Sequence, residues 1–309
     1  MSGPSLRHHS PMTATDSTQT VTVNWVRNWF GPISRLASVS QILEGTVQTV
    51  RCTVPPANSE SFAWRLAVGI AARKLAIRPD LFVTWLGVAA GCFDKATVPA
   101  DSFSRMVDRG ILVNVGVPGG QAHDSHFYGL IGEAVLHEVL WDGTHGQGAP
   151  VIVEGHDWSV TDAGGDQLAI YPNSGDFCFR LWESKGRYGA TDIGAVVQGA
   201  AEQLGSKAAG YLSRFAIATS RTVRDEGLAA FVALMPDLWV DNDPRAGVGV
   251  GVTTHSVPAA ATPFAQLTAH FNLPDSNKGG QLTLLGPLAA YRTTVSKTLW
   301  KGVGLWTGH

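Results

Sequence analysis

The sequence predicts an α/β (α+β) protein in which a mixed sheet is flanked by helices. Several segments alternate apolar with polar residues, as half-buried strands do, while others carry apolar residues at helical spacing. Between residues 119 and 256 these segments follow the order helix, strand, strand, strand, helix, helix, strand. The 309 residues are 44% apolar and 16% charged, which is typical of a globular chain with a sizeable core.

The first part of the chain combines a polar tail with an additional N-terminal α/β region. Residues 1–20 lack the apolar run of a secretory signal and are expected to form a mobile tail. Residues 21–118 form the N-terminal region, with strands predicted at 21–30 and 45–54. A helix is predicted to follow Ser61, which is a possible N-cap.

Bulk properties limit the compartment and the partners of the chain. The three cysteines are far apart and form no C-x-x-C pair, so the sequence favours a reducing cytoplasm over a disulfide or zinc framework. The longest apolar run, residues 81–92, is too short to span a bilayer, and we expect no membrane association. The net charge of −2 argues against a generally basic nucleic-acid coat protein but leaves room for a local basic cleft.

Residues 119–256 are predicted to form the functional core, followed by a C-terminal extension at 257–309. In the first helix of this core Glu133 lies within the apolar stripe and should face the core side, whereas Glu138 is expected to be solvated. A later helix should begin at a cap formed by Thr191 or Asp192. The remaining elements are strands at 149–160 and 245–256, a helix at 225–235 and a short helix at 262–272.

The segment "GGDQLAIYPNSGDFCFRLWESKGR" (164–187) predicts a β-hairpin with an unusual charged end. If residues 173–176 form a four-residue loop, Leu168 opposes Leu181 and Asp166 opposes Glu183. Side chains alternate along a strand, so Lys185 lies on the same face as the two carboxylates. Like charges that oppose each other directly destabilise a sheet.

A divalent cation between the acids would resolve this repulsion. Carboxylate oxygens and water suit Mg²⁺ or Mn²⁺, so Asp166 and Glu183 are the predicted metal ligands. Glu133, on the preceding helix, could add a third carboxylate as an auxiliary acid. Lys185 is the predicted catalytic lysine, because an ammonium group beside a metal suits phosphodiester hydrolysis.

These residues resemble the PD-(D/E)xK nuclease superfamily. The resemblance covers about residues 125–215 and is carried by "GEAVLHEVL", "GGDQLAIY" and "LWESKGR", which supply Glu133, Asp166, Glu183 and Lys185. The usual Pro before the Asp is Gly165 here. The following helix offers Gln198 or Gln203 for the position at which some members place a site-facing Gln.

The same segments, with "LWESKGRYGATDIGAV", are similar to the HamA family, the nuclease subunits of Hachiman anti-phage defence systems. This resemblance implies a DNA substrate and a separate superfamily 2 helicase as partner. Two alternatives stay open: a non-catalytic scaffold or regulatory subunit that binds a helicase, and an effector that cleaves RNA.

The other sequence motifs point to no additional function. The sequence contains no H-E-x-x-H and no G-x-x-x-x-G-K-[ST], so neither a zinc protease nor an ATPase is expected. Helix packing is the favoured explanation for the glycines of "GVGVGV" (247–252). The most basic part of the chain follows the hairpin, and its cations either contact phosphates or form solvated helix faces: Arg180, Arg187, Lys207, Arg214, Arg221 and Arg224.

Overall fold

We describe a computed structural model, which covers residues 29–75, 79–93, 124–145, 147–155, 165–189, 192–219 and 223–304. The tail predicted at 1–20 and most of the strand predicted at 21–30 lie outside the described residues. The described strands are β1 (Ser38–Glu44), β2 (Val47–Thr53), β3 (Ile152–Gly155), β4 (Gln167–Asn173), β5 (Asp176–Arg187), β6 (Ala246–Thr254) and β7 (Lys278–Leu284).

These seven strands form one mixed sheet in the order β1-β2-β7-β6-β5-β4-β3. Strands β2, β7, β6 and β5 are parallel neighbours, whereas β1 and the β4–β3 pair join antiparallel at the two edges. The predicted α/β class with a mixed sheet is therefore confirmed. The segment 21–118 supplies β1 and β2, and the C-terminal segment 257–309 supplies β7.

Helices cover both faces of the sheet. The described helices are α1 (Ser59–Lys74), α2 (Pro79–Ala90), α3 (Asp124–Trp141), α4 (Ile193–Thr219), α5 (Glu226–Val240), α6 (Leu267–His270) and α7 (Leu288–Gly302). One apolar cluster joins α1, α2, α3 and α7 to β2. A second cluster joins α4, α5 and α6 to the opposite face of β4, β5 and β6. None of the described helices is both long and apolar enough to cross a bilayer.

Two predictions about helix starts have different outcomes. The cap predicted at Ser61 is wrong, because α1 already begins at Ser59. Of the two caps proposed for α4, Asp192 occupies the position, since its Oδ1 accepts a hydrogen bond from the backbone N–H of Ala195 at 3.0 Å. Thr191 lies outside the described residues.

Glu138 is not solvated, and that prediction is wrong. Its side chain is 7% exposed, and Oε2 accepts a hydrogen bond from Nε of Arg65 at 2.6 Å. Arg65 lies on α1 and is itself buried. This ion pair therefore fixes α1 against α3, a long-range contact that the pattern of α3 alone could not reveal.

The glycines of β6 make room for a tryptophan as well as for the predicted helix. A Cβ atom added to Gly249 would lie 2.3 Å from the ring of Trp182 on the neighbouring strand β5. Trp182 is fully buried. At Gly251 the nearest side chains are Gln281 of β7 and Leu136 of α3. A flat aromatic ring thus occupies the space that larger β6 residues would need.

Candidate active site

The hairpin β4–β5 has the register that the sequence predicts. Leu168 pairs with Leu181, and the last pair before the turn joins Asn173 to Asp176. The loop between them is Ser174 and Gly175, so it has two residues and not the four that were predicted. These two residues have φ values of 46° and 90°. Positive φ at both central residues is the pattern of a type I′ turn, whose twist suits a two-residue hairpin. The turn therefore fixes the alignment of the charged residues at the other end.

Asp166 lies immediately before β4 and is held against β5. Its backbone N–H donates to the carbonyl of Trp182 at 2.8 Å. Its carboxylate oxygen Oδ2 accepts a hydrogen bond from the backbone N–H of Ser184 at 2.6 Å. Asp166 is therefore bonded to the residues on both sides of Glu183, through its backbone to Trp182 and through its carboxylate to Ser184, as the extended register requires.

Glu183 and Lys185 share one face of β5, and their charges meet. Nζ of Lys185 lies 2.5 Å from Oε1 of Glu183. Nζ also donates to the side-chain carbonyl oxygen of Gln203 on α4 at 3.0 Å. The side chain of Glu183 is 1% exposed and that of Lys185 is 18% exposed. The lysine amine thus lies between the buried carboxylate and α4.

Glu133 reaches the same region from α3, which packs very close to β5. A Cβ atom on Gly132 would lie 2.9 Å from the backbone nitrogen of Gly186. The backbone carbonyl of Glu133 also accepts a hydrogen bond from the side-chain amide of Gln167. Small residues at the contact therefore allow the helix to carry Glu133 to the end of the hairpin.

The carboxyl groups of Glu133, Asp166 and Glu183 are close enough to shift one another's pKa. Burial raises the pKa of Glu133 to about 7, and the charge of Glu183 adds to this effect. Burial also holds the pKa of Asp166 well above its usual value, with further contributions from Glu183 and Glu133. The pKa of Glu183 is likewise raised by burial, although Lys185 opposes the shift. Negative charge is therefore concentrated here and only partly compensated by the protein.

The donor set fits a hard divalent cation. Oε2 of Glu183 is buried and makes no hydrogen bond of normal geometry in the described part of the chain, although the backbone N–H of Gly165 lies close enough to lower the pKa of Glu183. This oxygen can therefore bind a ligand. Among the described residues, however, no group of three His, Cys, Asp or Glu side chains is arranged to hold a metal. Glu133 is therefore not preassembled with the other two acids as a third ligand. Two carboxylates with several waters are a common set for Mg²⁺.

The chain matches no protein-family model and no curated protein sequence. The hairpin register brings Asp166, Glu183 and Lys185 together, and α3 adds Glu133 to their electrostatic environment.

The helix α4 decides between the two glutamines proposed from the sequence. Gln203 bonds to Lys185, whereas Gln198 is exposed and donates to Glu202 at 3.0 Å. Both residues lie on the same helix, so the sequence pattern did not favour Gln203. The apolar side chains that α4 buries, among them Leu204 and Ala208, set the rotation of this helix about its axis.

Cations around the site come from more than one part of the chain. Arg73 and Lys74, at the end of α1, lower the pKa of Glu133, and Lys207 on α4 lowers that of Glu183. From the sequence we predicted no functional group in the region of α1. The pair of basic residues at the end of this helix was the one sequence feature that could have indicated a contribution to the site. Arg180, counted among possible phosphate contacts, is fully buried on the opposite face and is excluded from that role.

Proposed function

We propose that the chain is a metal-dependent deoxyribonuclease that hydrolyses phosphodiester bonds, with Mg²⁺ or Mn²⁺ as its cofactor. The observation that carries this proposal is the meeting of Asp166, Glu183 and Lys185 at one end of the hairpin, where one Glu183 oxygen lacks a hydrogen bond of normal geometry among the described residues. A buried acid pair beside an amine is unfavourable for the fold alone. A bound cation would compensate the negative charge of the acids, and a phosphate would compensate the positive charge of the amine.

Asp166 and Glu183 would hold the cation. When bound, such an ion lowers the pKa of coordinated water and offsets negative charge on the phosphate. The backbone N–H of Ser184 keeps the Asp166 carboxylate in place. Glu133, whose pKa is about 7, can hold or release a proton near neutral pH and is the auxiliary acid of the proposal.

Lys185 supplies the positive charge that faces the substrate. Its ammonium group can donate a hydrogen bond to a phosphate oxygen or orient the attacking water. Gln203 holds the amine from the side of α4, so that Lys185 is not fixed by Glu183 alone. The amine therefore remains positioned when Glu183 engages a cation.

The proposed substrate is DNA, and the cations around the site favour a polyanion of this kind. Arg73 and Lys74 approach Glu133 from α1, and Lys207, exposed on α4, approaches Glu183. Phosphate contacts of this kind supply affinity without reading sequence. The similarity to the HamA family adds the proposal of a cytoplasmic effector of bacterial anti-phage defence that acts with a separate helicase.

The test is cleavage by the purified chain. Plasmid DNA is incubated with Mg²⁺ or with EDTA, and products are resolved on agarose gels. We expect nicking or fragmentation with Mg²⁺, none with EDTA, and none with Glu183→Gln or Lys185→Ala. Circular dichroism should show that both variants keep the wild-type fold. Full activity in either folded variant would overturn the site assignment, and labelled RNA in parallel reactions tests the RNA-cleaving alternative.

A second candidate function is a non-catalytic scaffold or regulatory subunit that binds a helicase. One observation favours it: no three-residue metal group exists within the described residues. In that case the wild-type chain would leave plasmid and RNA intact at every Mg²⁺ and Mn²⁺ concentration. Isothermal titration with Mg²⁺ would then also give no heat that depends on Asp166 and Glu183.

A further inference from the structure

One flank of α4 faces the candidate active site. On this flank the side-chain carbonyl oxygen of Gln203 accepts a hydrogen bond from Nζ of Lys185 at 3.0 Å. Lys207 follows four residues later, which places it about 40° around the helix axis and about 6 Å further along it. Leu204 and Ala208 are buried in the apolar cluster beneath α4 and hold the helix in this orientation. Gln203 and Lys207 therefore project from the same flank.

Lys207 lies near Glu183 in the same way that Gln203 lies near Lys185. The step of one helical turn from Gln203 to Lys207 is close in length to the step from Lys185 back to Glu183, which is two strand residues or about 7 Å. Burial raises the pKa of Glu183, and the charges of Lys185 and Lys207 both oppose this shift. Two ammonium groups, one from β5 and one from α4, therefore approach the same buried carboxyl group.

The next turn of α4 continues this relation to the hairpin. Tyr211 is four residues beyond Lys207 and is buried. Burial raises the pKa of its hydroxyl group, and the charge of Asp166 adds to this effect. Helix α4 thus passes over the charged end of the hairpin in the direction opposite to β5. Lys207 lies between the residue that contacts Lys185 and the residue that approaches Asp166.

The ammonium group of Lys207 is not used to stabilise the fold. Lys207 is exposed, and it forms no ion pair with any residue that the structure describes. In contrast, the side chain of Lys185 is only partly exposed, and that of Glu183 is buried. Exposure therefore increases from the acids towards the flank of α4. The two lysines line the side of the acid pair that solvent can reach.

We propose that Lys207 is a second catalytic lysine, whose ammonium group donates a hydrogen bond to a non-bridging oxygen of the scissile phosphate. This inference rests on the proposed function and deepens it, because it assigns a second cation of the chain to the reacting group. Lys185 holds the phosphate from β5, and Lys207 holds it from α4. The other cations around the site contact flanking phosphates.

The chemistry of hydrolysis gives this second cation a role. Water forms a bond to phosphorus while the bond from phosphorus to the leaving oxygen breaks. The water gives up one proton to solvent, and the leaving oxygen takes one up. In the transition state negative charge is spread over the non-bridging oxygens. An ammonium group held beside one of them offsets this charge and lowers the barrier.

The salt dependence of DNA binding tests whether Lys207 contacts a phosphate. Fluorescence anisotropy is measured with the full chain and a labelled duplex oligonucleotide in EDTA, at several salt concentrations. Each phosphate contact contributes about 0.9 to the slope of log affinity against log salt concentration. We expect Lys207→Ala to reduce this slope by about 1, whereas Lys207→Arg keeps the charge and should retain the slope. Lys297→Ala, at an exposed lysine of α7 on the other face of the sheet, should bind like the wild type.

Cleavage kinetics test whether this phosphate is the scissile one. At saturating DNA and Mg²⁺, Lys207→Ala should lower kcat by about 100- to 1000-fold, the loss typical of one group that stabilises transition-state charge. Lys207→Arg should cleave faster than Lys207→Ala, and Lys297→Ala should keep the wild-type kcat. All three variants should keep the wild-type melting temperature, because both lysines are exposed.

Three results would overturn the inference. The first is an unchanged salt slope in Lys207→Ala. The second is a higher KM at the wild-type kcat, which would place Lys207 on a flanking phosphate. The third is a loss of kcat that more Mg²⁺ restores, which would mean that Lys207 acts through the cation. In each case cleavage by the wild type but not by Lys185→Ala leaves the nuclease function standing, whereas a wild type that binds DNA and never cleaves it overturns both proposals.

Discussion

The amine of Lys185 and the side-chain carbonyl oxygen of Gln203 lie 3.0 Å apart, which joins β5 to α4 at the candidate site. Gln198 lies five positions earlier on α4. Five residues turn a helix by about 140°, so the two glutamines cannot face the same neighbour. Gln198 is accordingly exposed and bonds to Glu202.

This difference predicts unequal effects of two otherwise identical substitutions. Gln203→Ala should lower kcat for DNA cleavage by about 10- to 100-fold, the range typical of residues that orient a functional group, with little change in KM. Gln198→Ala should keep the wild-type rate. Steady-state kinetics on a labelled oligonucleotide, with melting temperatures as a check on folding, would measure both. Equal rates for the two variants would contradict the role of Gln203.

The close contact between Gly249 of β6 and the ring of Trp182 predicts that one added methyl group lowers the stability of the chain. Gly249→Ala should destabilise the chain by about 1–3 kcal/mol, because its Cβ would overlap the buried ring of Trp182. Gly210→Ala is the matched control, since it lies inside α4 and, apart from its chain neighbours and the backbone of its own helix, no atom of the described residues comes within 4 Å of the added Cβ. That change should stabilise by about 0.5–1 kcal/mol. Urea unfolding measures both, and a neutral Gly249→Ala would show that Trp182 can move aside.

The buried pair of Arg65 and Glu138 predicts a large loss when one partner is removed. Glu138→Ala should lower the free energy of unfolding by about 3–5 kcal/mol, because Arg65 would remain as a buried charge whose only other carboxylate neighbour among the described residues is Asp142, at 4.0 Å. As a control, Asp176→Asn breaks the pair of Asp176 with Arg245, whose side chains are 52% and 31% exposed. That variant should lose no more than about 1 kcal/mol. Similar losses in the two variants would contradict the difference in burial.

The buried imidazole of His145 leads us to expect that the free energy of unfolding depends on pH. Burial and the neighbouring Arg180 hold the pKa of His145 well below 6.5, and neither ring nitrogen has a hydrogen-bond partner among the residues that the structure describes. Below about pH 6.5 the unfolded chain therefore binds a proton that the folded chain cannot, so the free energy of unfolding falls as the pH falls.

Replacing His145 should remove that part of the pH dependence. Between about pH 6 and 5 the wild type should lose about 1.4 kcal/mol per pH unit more than His145→Gln. His270→Gln, at an exposed position, should follow the wild-type curve. Urea unfolding at several pH values measures the slopes. Parallel curves for the wild type and His145→Gln would show that His145 is protonated in the folded chain.

By itself the sequence determined the α/β class and the alignment of the acids in the hairpin. Both depend on local signals, namely the periodicity of apolar residues and a short turn that fixes the register. Each residue of a hairpin finds its partner a short distance along the chain. The alternation of side chains along the two strands was therefore enough to place Asp166, Glu183 and Lys185 on one face.

Only the tertiary structure decided which distant elements meet. The parallel neighbours β2 and β7 come from distant parts of the chain, and the order of the parallel strands depends on crossovers that no local pattern specifies. The same holds for single side chains: Glu138 is buried because Arg65 of another helix faces it, and Gln203 reaches Lys185 because core packing fixes the rotation of α4. Burial and long-range pairing are properties of the packed chain, since they depend on which surfaces exclude water together.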